Sequence, residues 1–94
     1  MKILAVCGMG LGSSLIIKMT VDAALRRIGV DAEVETADIG TARALLNKAD
    51  MVVTSKHLAE QMGDIGDVKM IVVKNLMSED EVAEKLQQAL SDDS

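Results

Sequence analysis

Two regimes of hydrophobic patterning alternate along the chain: short runs that are apolar throughout, and longer stretches that are apolar on one side only. Lys2 to Val6 is the first short run, the pattern of a strand buried on both faces. The stretch from Ser14 to Ile28 contains no proline or glycine, and Gly29 stands where a helix C-cap belongs. Ile17, Val21, Ala24 and Ile28 fall on one face of that helix, and Leu15, Met19 and Ala23 on another, so its apolar arc is wide. Ala32 to Thr36 alternates, with Glu33 and Glu35 opposite Ala32, Val34 and Thr36, as on an edge strand with one wet side. Thr41 is in position to cap a short helix reaching about Lys48. Met51 to Thr54 is a second buried strand, and Thr54 or Ser55 can cap a helix of about two turns through Met62. A loop over residues 63–67 precedes a fourth strand, Lys69 to Val73. Ser78 and Glu81 have capping-box spacing, and Val82, Leu86 and Leu90 mark the core face of a last helix.

The predicted order is βαβαβαβα with short connections. It implies a three-layer α/β sandwich, a four-stranded parallel sheet with helices on both faces, spanning residues 1–94 as one domain. Right-handed crossovers and an early reversal predict the strand order 2-1-3-4. Ligands of such sheets bind at the carboxyl ends of the strands, at the switch point, where the loop after the first strand lies.

Composition narrows the chemistry. There is no aromatic residue, so the core must be aliphatic, with seven methionines to fill irregular gaps. Stacking platforms for bases are absent too, which argues against single-strand nucleic-acid binding. Residues 1–74 carry nine basic and nine acidic side chains, and residues 75–94 carry one lysine and six acids. The net charge of −5 therefore belongs to the C-terminal segment, and neither a nucleic-acid footprint nor a polybasic membrane anchor is present. A single cysteine cannot form an intramolecular disulfide, and no apolar run approaches the ~18 residues of a membrane span. These features read as a cytoplasmic chain.

The candidate chemistry lies between the first strand and the first helix. Cys7 is followed by Gly8-Met9-Gly10-Leu11-Gly12 and then by Ser13 and Ser14, which open the helix. Glycines at alternate positions let successive amides turn inward, and together with a helix N-terminus they form an anion cradle. Such surroundings favour the thiolate, the reactive form of cysteine. A phosphoryl group on Cys7 would be held by the amides and hydroxyls of Gly8 to Ser14 without cofactor or metal. One cysteine and one histidine make no metal-ligand cluster. The plainer alternative is an inert, buried cysteine. A nucleotide loop is disfavoured, because the spacing is not G-x-G-x-x-G and no Gly-Lys-Ser/Thr follows. His57 reads as an exposed first-turn histidine rather than a general base, and Asp22, Asp38 and Asp50 as solvated loop or helix residues. Met9 and Leu11, apolar beside a reactive group, suggest contact with a partner protein.

At Leu4-Ala5-Val6-Cys7-Gly8-x-Gly10-x-Gly12-Ser13-Ser14 the chain resembles the enzyme IIB components of the bacterial phosphoenolpyruvate-dependent sugar phosphotransferase system (PTS). It is most similar to the lactose/ascorbate group, and within it to the ascorbate-specific proteins. Ile17-Lys18-Met19, Val21-Asp22, Ala49-Asp50 and Ser55-x-His57 extend the similarity. The resemblance implies a phosphoryl relay: Cys7 takes the group from the phosphohistidine of a IIA protein and passes it to a sugar bound by the membrane IIC transporter. It also implies that residues 8–14 cradle the phosphate and that the apolar side of the first helix docks partners. The chain would then sit at the inner face of the membrane through IIC. Two other classes remain open. Low-molecular-weight tyrosine phosphatases and arsenate reductases share a Rossmann-like sheet with a cysteine loop after strand 1, but need an arginine six residues after the cysteine, where this chain has Ser13. The other is a non-enzymatic anion-binding or thiol-sensing module.

Overall fold

The computed structural model describes residues 1–8 and 13–92. Its strands are the short apolar runs: β1 (Lys2–Val6), β2 (Glu33–Ala37), β3 (Met51–Ser55) and β4 (Lys69–Val73). They pair in parallel in the order β2-β1-β3-β4, as the connection pattern predicts. Four helices flank the sheet: α1 (Ser13–Arg27), α2 (Ile39–Leu45), α3 (Lys56–Met62) and α4 (Glu79–Asp92). A single 3₁₀ turn over Leu46–Lys48 extends α2 towards β3.

The central strand explains both layers. In β1, successive side chains point to opposite faces. Ile3 and Ala5 join a core with Val21 and Leu25 of α1, Val53 of β3, and Val82 and Leu86 of α4. Leu4 and Val6 join a smaller one with Ala42 of α2, Val52 of β3 and Met62 of α3. Each of the larger side chains, Val, Ile, Leu or Met, contributes about 1.5–3 kcal/mol when withdrawn from water. Arg27 at the end of α1 pairs with Asp80, and with Glu79 at 3.6 Å, at the start of α4. These exposed pairs set orientation more than stability, because solvent screens them.

Several boundaries differ from those expected from the sequence. The second strand runs one residue further, to Ala37, and it buries Val34 and Ala37 rather than Val34 and Thr36. Glu35 is half-buried there, its charge met by Lys2 Nζ at 3.1 Å. The cap of α2 is Asp38, not Thr41: the Asp38 Oδ1 accepts the Thr41 amide at 2.7 Å. Ser55, not Thr54, holds the cap position of α3, without a side-chain bond, and the Thr54 hydroxyl is committed inside the sheet. The capping box at α4 forms on one side only. Ser78 Oγ accepts the Glu81 amide at 3.4 Å, while the Glu81 carboxylate reaches past Ser78 to the amides of Lys74 and Asn75, at 2.6 and 2.9 Å. Gly29 follows α1 and Gly63 follows α3, both with the positive φ, 74° and 66°, that a C-terminal stop requires.

Candidate functional site

Cys7 follows β1 directly and is held by the neighbouring strand. Its amide donates to Ala37 O at 3.0 Å, and its Sγ lies 3.9 Å from the same carbonyl. The residue is 6% exposed, and its side chain closes the end of the larger core. β1 lies between β2 and β3, so the chain leaves β1 at the point where the connections diverge to either side. This is the switch point at which parallel sheets place ligands.

A cleft of about 300 Å³ opens beside Cys7, lined by Cys7, Gly8, Asp38, Ile39, Gly40, Leu58 and Gln61. Its walls come from the ends of β1 and β2 and from the short helices α2 and α3. Arg43 on α2 donates from Nη2 to Gln61 O on α3 at 2.8 Å and ties the two walls together. The lining is chiefly aliphatic and backbone, with Asp38 and Gln61 supplying the polar groups. The Thr41 amide, donating to Asp38, holds that carboxyl below the ordinary range. Asp38 is therefore an ionised acceptor at neutral pH, fixed by its role as helix cap.

The expected residues distribute unevenly over this geometry. Cys7 and Gly8 line the cleft, and Ser13 and Ser14 open α1. Met9, Gly10, Leu11 and Gly12 lie outside the described residues. His57 is exposed on α3, as expected, and its Nε2 meets Gln61 Nε2 of the same helix at 3.0 Å. Asp22 pairs with Lys18 along α1, at 3.2 Å. Asp50 accepts the Lys2 amide at 2.7 Å, at the sheet edge opposite Cys7. Asp38 is exposed, as expected of a solvated acid, and it also stands in the wall beside the thiol. The signal that could have found it is its place directly after an alternating strand and three residues before Thr41, the spacing of an N-cap and the amide it receives. Along α1, Leu15, Ile16 and Met19 are 64, 50 and 60% exposed and form an apolar row on its outer side.

Known proteins match this architecture along nearly its whole length. The profile of the family described as "PTS system, Lactose/Cellobiose specific IIB subunit" covers residues 2–88. An ascorbate-specific PTS system EIIB component of Mycoplasma pneumoniae is 32% identical over 90 residues, 96% of this chain and 95% of its own. The protein of the same name from Salmonella typhimurium is 34% identical over 91 residues, 97% of this chain and 90% of its own. Among solved structures, the lactose-specific IIB domain from Streptococcus pneumoniae superposes with a TM-score of 0.61 at 14% identity, covering 97% of this chain and 95% of that one. That likeness speaks for the fold, and the family match for the assignment. With the β2-β1-β3-β4 sheet and a cysteine at the end of its central strand, the chain belongs to the lactose/cellobiose-specific IIB subunits and is a IIB component of a sugar phosphotransferase system.

Proposed function

We propose that Cys7 is the phosphoryl carrier of this IIB component. The observation that carries the reading is its placement: the single thiol of the chain follows the central strand, at the switch point, beside a cleft. In the first step the Cys7 sulfur attacks the phosphohistidine of a cytoplasmic IIA protein. The sulfur attacks as thiolate and the second ring nitrogen of the phosphohistidine carries a proton, so the P–N bond breaks, the S–P bond forms, and the imidazole leaves neutral. In the second step a hydroxyl of a carbohydrate held by the membrane IIC protein attacks phosphorus. The S–P bond breaks, the O–P bond forms, the hydroxyl proton is released, and the thiolate returns. The names of the relatives favour an ascorbate-like acid or a related carbohydrate as acceptor. Among the described residues no helix is long and apolar enough to cross a membrane, and we assign contact with the membrane to the IIC protein.

The amides and hydroxyls of Gly8 to Ser14 are assigned to the phosphoryl oxygens, since no Lys or Arg occurs between Lys2 and Lys18. The exposed row Leu15, Ile16 and Met19 leads away from this loop, and we assign it to the IIA protein. Asp38 bears on the choice between transfer and hydrolysis. A phosphatase needs an acid that protonates the leaving group, whereas the Thr41 amide keeps this carboxylate ionised. Ser13 also stands where the phosphatase loop has its arginine, the bidentate partner of two phosphoryl oxygens.

Incubation with labelled phosphoenolpyruvate, the general phosphotransferase proteins and a IIA partner tests the reading. Wild type should become labelled, Cys7→Ser should not, and both should share a folded spectrum. The labelled protein should persist at neutral pH, and turnover of aryl phosphates should be negligible. Undiminished labelling of Cys7→Ser would end the assignment. Aryl-phosphate turnover of tyrosine-phosphatase size, lost in Cys7→Ser, would move the chain to the phosphatases.

A further inference from the structure

The peptide unit between Val6 and Cys7 is gripped from both sides. On the β2 side the Cys7 amide donates to Ala37 O at 3.0 Å, continuing a register that runs to Val6↔Ala37. On the β3 side the paired register ends one step earlier, at Ala5↔Val53. There the Thr54 hydroxyl takes over and donates from Oγ1 to Val6 O at 2.9 Å. Thr54 is fully buried and is the one buried polar side chain among the described residues. Its neighbours Val52 and Val53 fill equivalent space without a hydroxyl. Valine would do the same at 54 without burying a polar group, so packing does not account for threonine. Nor does the hydroxyl hold β3 in the sheet, because Thr54 and Ser55 are already paired with Val72 and Val73 of β4. What the hydroxyl adds is a fixed carbonyl directly before Cys7. A β-branched side chain is stiff at χ1, so it holds that carbonyl with little play.

We propose that Thr54 is a positioning residue for Cys7: it locks the Val6–Cys7 peptide plane, and with it the direction in which the thiol and the following loop leave β1. The inference rests on the reading of Cys7 as the phosphoryl carrier. In-line transfer between two proteins demands a nucleophile whose position is set before the partner arrives, and a displacement of about 1 Å can cost about a hundredfold in rate. Without the hydroxyl the peptide plane can rotate about its remaining tie to β2. The backbone of β1 stays paired, and the sulfur loses its fixed direction.

The test compares wild type with Thr54→Val, which keeps the volume and removes the donor, and Thr54→Ser, which keeps the donor. Thr54→Ala is the second variant should the valine fail to fold. Labelling from a phosphorylated IIA protein is followed at varied IIA concentration and expressed per folded molecule. In Thr54→Val the maximal rate should fall about tenfold to a hundredfold, with KM for the phosphorylated IIA within about twofold of wild type. Thr54→Ser should stay within about threefold of wild type in both. A loosened Cys7 should also be alkylated several-fold faster by iodoacetamide at fixed pH in Thr54→Val, and not in Thr54→Ser. Transfer by Thr54→Val at the wild-type rate, or a serine variant as slow as the valine one, would overturn the proposal. Failure of wild type itself to become labelled would instead refute the carrier reading. In that event alkylation decides alone: equal rates in wild type and Thr54→Val would end the positioning role as well.

Discussion

On one face of the sheet lie helices of 15 and 14 residues, α1 and α4, which pack against each other as well as against the strands. On the other lie α2 and α3, of seven residues each. At about 1.5 Å per residue the long pair spans more than the length of a five-residue strand, about 17 Å, and the short pair spans about 10 Å. The long pair seals its face, so that Ile3, Ala5, Val53 and Leu86 reach a common interior. The short pair leaves part of its face to loop residues such as Ile65 and Val68, and leaves the cleft between its first turns and Cys7. One face is closed by its helices, and the other leaves a cleft that adjoins Cys7. The thiol itself belongs by strand alternation to the sealed side, which explains why it is buried although a cleft adjoins it.

The comparison breaks most readily on stability. Leu86→Ala on α4 should cost about 3–5 kcal/mol, because long helices held at several points cannot collapse into the cavity. Met62→Ala at the end of α3 should cost about 2 kcal/mol, since a short helix followed by a loop relaxes more easily. Urea unfolding with an unchanged slope measures both, and a larger loss for Met62→Ala would reverse the contrast between the two faces.

A smaller effect separates stability from access. Gly40 lies inside α2 and on the cleft wall, and a Cβ added there would meet Asp38 Oδ1 at 3.7 Å, an ordinary contact. Gly40→Ala should therefore raise stability by about 0.5 kcal/mol through helix propensity, while slowing phosphoryl transfer by narrowing the cleft. Faster or equal transfer would show that the phosphoryl donor does not approach along this wall.

The smallest effects lie in the acid range, with one carboxylate on each face. The Thr41 amide holds Asp38 below its ordinary value of 3.8. The Lys74 amide above all, aided by that of Asn75, holds Glu81 below 4.5. Both pKa values are depressed by folding, so their contribution is present above those ordinary values and is lost as pH falls through the folded ones. Asp38→Asn and Glu81→Gln should each be less stable than wild type at neutral pH and should converge on it as pH falls below about 4. Stability curves that run parallel through this range would remove the carboxylates from the account. Asp38 is exposed and Glu81 only half-buried, so the differences should be small.

Much of this molecule was legible along the chain because its signals are local. Ile3 to Val6 and Met51 to Val53 can only be buried strands, Gly29 can only stop a helix cheaply, and short connections with right-handed crossovers leave few sheet orders. Cys7 with its glycines and serines stood out for the same reason, as did the family to which they point. The boundaries that slipped, at Ala37, Asp38 and Thr54, are places where a residue's role depends on a partner far away in sequence. Asp38 is an ordinary helix cap until the end of β2 is set beside the end of β1, 30 residues earlier in the chain as Ala37 and Cys7 meet. Thr54 passes for a cap by spacing, and becomes a clasp on Val6, 48 residues away, once β3 lies against β1. Hydrophobic period and capping chemistry act over a few residues, and so the order of elements, the sheet and the candidate cysteine loop were legible in the sequence alone. The cleft beside Cys7, the burial of its thiol and the grip on its peptide were decided by tertiary structure. Parallel strands bring their carboxyl ends together at one edge, and no spacing within a single element encodes what meets there.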